Sequence, residues 1–177
     1  MTWRRVLSVL AMMGVATSAL AQDWEFGLLH SFAGGYNDGF LGHGTLVASG
    51  DTFYGVTSYG EVFATGGGIV FRCNADGSDY QVLHRFPYFL DGPAEPGHGL
   101  TLSGSTLYGV THEGGASDNG TIFKLQTDGS GFEVLHEFAG GSDDGELPDG
   151  KLLLEGSTLY GVTSDGGDSD NGTVYRI

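Results

Sequence analysis

Short runs in which apolar and polar positions alternate return along the chain at a fixed interval. One set holds Leu46 and Ala48, then Leu100 and Leu102, then Leu152 and Leu154. Another carries Val82, His84 and Phe86 on one face, matched by Val134, His136 and Phe138. Alternation by two is the strand period, because successive side chains point to opposite faces of a sheet. Turn residues bound the runs: Ser49-Gly50, Gly104-Ser105 and Gly156-Ser157, then Asp76-Gly77 and Asp128-Gly129. No helical period follows residue 21. With 33 glycines spread among Asp, Asn and Ser, the pattern predicts an all-β chain rich in turns.

The runs belong to a triplicated unit. Tyr54-Gly55-Val56-Thr57 recurs as Tyr108-Gly109-Val110-Thr111 and as Tyr160-Gly161-Val162-Thr163. His30, His84 and His136 precede the tyrosines at a constant distance, and Gly50, Gly104 and Gly156 do the same closer in. The copies run over about 26–80, 81–132 and 133–177. Each reads as four short strands: the Leu46-type run, Phe53–Thr57, Ile69–Cys73 with its copies Thr121–Leu125 and Thr173–Ile177, and the histidine-bearing run. A period of this size marks a repeat architecture, in which one supersecondary unit packs against its neighbours. Four-stranded units predict a β-propeller-like array, with a threefold β-trefoil or β-prism as the alternative. The chain opens with a fourth-type strand, Trp24–Phe32, and closes on a third-type strand. Setting the first beside the last completes the third unit and removes an open edge, and two chains together would give six units.

Residues 1–21 stand apart. Arg4-Arg5, the apolar run Val6–Leu20 and Ala19-Leu20-Ala21 have the order of a secretory signal peptide. This leaves 22–177 as one β-repeat domain, secreted, periplasmic or held at the cell envelope, with no membrane insertion after cleavage. The formal net charge of −15 becomes more negative by two when Arg4 and Arg5 leave. So acidic a surface repels phosphate backbones and argues against nucleic-acid binding. Cys73 is the only cysteine, so no disulfide forms within the chain, and its repeat position is held elsewhere by Leu125 and Ile177. It reads as a small buried hydrophobe.

The stretch from Leu107 to Leu152, LYGVT–HEGGASDNG–TIFKL–QTDGSGF–EVLHEF–AGGSDDGELPDGKL, resembles the GloVer (Gloeobacter/Verrucomicrobia) tandem repeat. The resemblance covers the whole of 22–177. It implies a secreted or surface-attached bacterial protein of the choice-of-anchor type, and it brings no catalytic residues with it. The first copy departs from the pattern, reading Ala64-Thr65-Gly66-Gly67-Gly68 in place of the Asp-Asn-Gly loop.

Candidate chemistry is sparse. Asp118 and Asn119, with Asp168, Asp170 and Asn171 in the next copy, match the oxygen ligands that calcium takes, although Asp-Asn-Gly is also simply a good turn. Calcium is the only cofactor these residues suggest. Tyr54, Tyr108 and Tyr160 beside their glycines offer aromatic platforms for sugar rings, set against ordinary strand packing. The three histidines suggest a metal on a threefold axis, set against packing beside the phenylalanine two residues on. Arg72, Lys124 and Arg176 share a repeat position and suggest an anion site, set against salt bridges to acidic neighbours. No nucleophile elbow, zinc-protease helix or phosphate loop occurs. The leading expectation is a non-enzymatic module that binds or scaffolds, with itself as a homodimer or with an extracellular glycan or protein as partner. A lectin-type carbohydrate-binding module comes second and a polysaccharide-active enzyme third.

Overall fold

Among the described residues, twelve antiparallel strands form three open sheets, the first two each completed by the histidine-bearing strand of the following copy. The structure is a computed structural model that describes residues 25–34, 38–59, 67–87, 92 and 94–177. The expected leader, Trp24, Asp91 and Ala64–Gly66 lie outside the described residues.

The first sheet has the order β1 (Phe40–Ser49), β2 (Thr52–Tyr59), β3 (Ile69–Asn74), β4 (Gln81–Arg85). In the second, the first strand is split into β5 (Ala94–Pro96) and β6 (Thr101–Ser103). Both pair with β7 (Thr106–Glu113), and β8 (Thr121–Gln126) and β9 (Glu133–Glu137) follow. The third holds β10 (Gly145–Glu155), β11 (Thr158–Gly166) and β12 (Val174–Arg176). None of the sheets is closed, and no helix occurs among the described residues. The all-β expectation holds, with sheets of unequal strand number instead of three equal sets of four.

Two differences from the sequence expectation have physical causes. The first strand of each repeat starts earlier than its apolar run and bends midway. Its register shifts between His43 and Val47 and between Asp149 and Leu153, and in the middle repeat Gly97-His98-Gly99 interrupts it. Glycine and proline in the first half hide the strand period, and bulges occur where such residues relieve the ladder. The second difference is at the start. Residues 25–34 form no strand, although they carry the fourth-strand pattern. Among the described residues no strand pairs with them to supply hydrogen bonds.

The repeated tetrapeptide is built for packing. Gly55, Gly109 and Gly161 sit directly across the ladder from Phe71, Phe123 and Tyr175. The ring lies flat over the glycine, so an added Cβ would come within 2.6 Å of Phe71 or 2.5 Å of Phe123. Only glycine leaves room. The following valines, Val56 and Val110, are 2 % and 1 % exposed and enter the core. The threonines close a buried pair: Thr111 Oγ1 lies 2.8 Å from Thr121 Oγ1 and accepts the Thr121 N–H. Thr163 and Thr173 repeat both contacts. In the first repeat Ile69 replaces the second threonine, and Thr57 donates to the carbonyl of Tyr59, as Thr163 also does to that of Asp165.

The core lies between sheets. Val47, Val56, Val70 and Phe86 of the first sheet pack on Leu100, Leu107, Phe123 and Leu125 of the second. Val110, Ile122 and Phe138 of the second pack in the same way on Leu152 and Leu159 of the third. Each junction therefore joins one face of a repeat to the opposite face of the next. Backbone bonds extend the ladders to its edge and cross it. Within each sheet Phe86 donates to the Gly68 carbonyl and Phe138 to the Gly120 carbonyl, both at 3.0 Å. Glu95 N–H and Leu147 N–H, each on a residue with φ above +50°, reach back to Gly67 and Asn119.

Candidate functional site

The histidine and aromatic positions form one repeated unit at the junctions. In every copy the histidine ring meets the phenylalanine two residues on, edge to face: His30–Phe32, His84–Phe86 and His136–Phe138, with centroids 4.7–5.1 Å apart. That phenylalanine in turn meets the ring over the glycine, in Phe32–Phe71, Phe86–Phe123 and Phe138–Tyr175. The histidine face is then covered by an aromatic from the next fourth-strand turn. His30 stacks on Tyr80 at 3.7 Å and His84 on Phe132 at 3.8 Å.

Charge sets these histidines apart. His30 bonds Asp38 at 2.8 Å and His136 bonds Asp144 at 3.2 Å, each eight residues downstream. Burial pushes the Asp144 carboxyl upward, but N–H bonds from Ala139 and Gly145, with His136, outweigh it and hold the group below its usual range. Among the described residues no carboxylate bonds His84, and burial lowers its pKa from 6.5 to about 4. The stability consequence has a definite sign. Neutral His84 suits the folded state, so its contribution is complete above pH 6.5 and is lost as pH falls towards 4. Denaturant melts of the His84→Leu variant should show a shallower decline between those pH values than the parent chain. An equal decline would mean that another group carries it.

The calcium-type loops close on themselves. Asp118 accepts the Gly114 N–H at 2.9 Å and Asp170 accepts the Gly166 N–H at 3.1 Å. Asn119 lends its backbone carbonyl to Leu147, and the Asn171 side-chain amide donates to the Ser169 carbonyl. Asp168 is exposed. No group of three or more His, Cys, Asp or Glu side chains suited to a metal occurs among the described residues. The three histidines sit at separate places along the array. Arg72 and Lys124 pair with acidic side chains, Asp79 at 2.7 Å and Glu133 at 2.9 Å. Cys73 is buried, and burial raises its thiol pKa.

The tyrosines, equivalent in sequence, differ in setting. Tyr54 is 5 % exposed inside the first junction. Tyr108 and Tyr160 are half-buried. Tyr108 and Lys124 line a cleft of about 460 Å³ at the second junction, walled by Leu135, Leu154, Ser157 and Ile177. Sequence reasoning did not single out this cleft, because it arises between copies.

The Gloeobacter/Verrucomicrobia repeat matches residues 14–177. This chain belongs to that repeat family. The match takes in all three copies of the unit in this Gloeobacter/Verrucomicrobia repeat protein. No curated protein sequence matches it. Among solved structures it is similar to a chain of a nidogen/laminin complex, at 20 % identity and a TM-score of 0.46. The match covers 72 % of this chain and 44 % of that one. No helix among the described residues is long and apolar enough to cross a membrane.

Proposed function

We propose that this chain is a non-enzymatic binding or scaffolding module, exported to the envelope or beyond, whose sheets act as propeller-like blades. One observation carries the reading. The residues that recur in every copy are engaged in packing: glycine under a ring within each sheet, and histidine against the phenylalanine that meets that ring. A sequence that repeats its packing residues and varies the rest builds a framework, and repeat proteins of this kind act through extended surfaces.

A second reading, a carbohydrate-binding module, is favoured by the cleft at the second junction. There a half-buried tyrosine and a lysine border an apolar wall, which suits the face of a sugar ring and its hydroxyls.

The test is fractionation of cells producing the full chain, with the purified product assayed on a polysaccharide panel. Export without turnover is expected. Retention in the cytoplasm, or hydrolysis abolished by substituting one carboxylate pair, would overturn the framework reading. Glycan binding lost in Tyr108→Ala would replace it with the second.

A further inference from the structure

The outward faces of the first and third sheets are complementary halves of the junction that occurs twice between the sheets. On the third sheet Leu153, Val162 and Val174 are 64 %, 47 % and 82 % exposed. Their counterparts are buried between repeats: Val47 and Thr101, Val56 and Val110, Val70 and Ile122, none more than 8 % exposed. At the other end Leu46 is 53 % exposed, while its counterparts Leu100 and Leu152 are at 0 % and 3 %. One end thus presents the face that a following repeat covers, and the other presents the face that a preceding repeat covers.

The match extends to individual groups. β12 pairs with β11 on one side and with no strand on the other among the described residues. Beside it lies a cleft of about 260 Å³ bordered by His136, Phe138, Tyr175 and Arg176. The His136 side chain is 39 % exposed against 25 % for His30. No aromatic ring stacks on its face among the described residues, as Tyr80 and Phe132 do on the other two. Phe26 stands four residues before His30, as Tyr80 stands before His84 and Phe132 before His136. It is 92 % exposed. Glu25 and Arg176 are exposed and occupy the repeat positions of Asp79 and Arg72, which pair at 2.7 Å. An aromatic that lacks its histidine, a histidine that lacks its aromatic, and two charges of opposite sign fall at matching places.

We propose that a second copy of this chain docks head to tail, its residues 25–32 adding to β12 as the fourth strand. The register follows that of the first sheet, where Val70 faces His84, Phe71 faces Val82 and Arg72 faces Gln81. Val174 then faces the second copy's His30, Tyr175 its Leu28 and Arg176 its Gly27. Phe26 enters the cleft against His136, and Glu25 meets Arg176. The segment keeps its own packing on Phe71 and Tyr80, so it bridges the copies much as β4 bridges two repeats. The unpaired edge and the apolar face are covered in one step. Two such contacts close a pair if the rotation allows; otherwise they extend into a chain. The inference rests on the framework reading and names self-association as its means.

Sedimentation of the purified chain over a concentration series tests it. Assemblies of two or more copies are expected. Phe26→Ala should weaken association by about tenfold or more. Glu25→Arg and Arg176→Glu should each weaken it by roughly tenfold, and the double variant should recover most of that loss. All three positions are exposed, so these variants keep the fold, which circular dichroism and melting would verify. A monomer at every concentration would sink the proposal. So would an assembly indifferent to Phe26→Ala and unrepaired by the charge swap. Either result would leave export and the absence of turnover standing.

Discussion

Phe123→Ala is expected to lose about 3–5 kcal/mol of unfolding free energy, measured by denaturant titration. Phe123 is fully buried, lies over Gly109, and meets Phe86 across the first junction at 5.1 Å. Truncation leaves a cavity bordered on one side by a glycine that has no side chain to fill it. The surrounding groups belong to two different sheets, and neither can collapse without breaking the other's ladder. A loss below about 1 kcal/mol would show that the junction is not the main source of cohesion.

Gly120→Ala is expected to cost about 3 kcal/mol, the sum of a left-handed backbone penalty and overpacking. Gly120 has φ +88°, and an added Cβ would lie 2.5 Å from the Thr111 carbonyl oxygen and 2.9 Å from that of His112. Its own carbonyl accepts the Phe138 N–H, so displacement also loosens the second junction. Gly104→Ala is the matching control. Its φ is +57°, but nothing lies within 4 Å of the added atom, so only the backbone penalty of about 1–2 kcal/mol applies. Equal losses in the two variants would contradict the role given to the contacts of Gly120.

These two residues also show what could be read from the chain beforehand. The Tyr-Gly-Val-Thr motif placed the second strand of every repeat, because alternation and flanking turns acted locally. The Asp-Gly turn placed the hairpin that follows, and Ser78 N–H and Ser130 N–H do bond to Asp76 and Asp128. The front half of the first strand was not legible. In Gly145–Gly150 a proline and glycines carry a strand whose ladder is set by β11, not by its own pattern. The Trp24–Phe32 run gave the reverse error: a strand pattern at 25–34 without a neighbour to pair with.

The candidate site was legible in part. Sequence gave the right residues for the ion pairs of Arg72 and Lys124 but put the three tyrosines on one footing. Exposure of a repeated residue depends on which copies flank it, and three identical motifs carry no record of that. Tyr54 and Tyr108 differ because the first junction encloses Tyr54 whereas a cleft at the second lies beside Tyr108. The same blindness hid the exposed valines of the third sheet, whose counterparts are core residues.

The ring lying across each glycine has a consequence for how such a chain can drift. The two positions are facing neighbours in the ladder yet well separated along the chain, and neither tolerates independent exchange. Bulk added beneath evicts the ring, and a smaller group above uncovers bare backbone. Variation is therefore channelled to the rim of the aromatic, where Tyr175 already bears a hydroxyl that Phe71 and Phe123 lack.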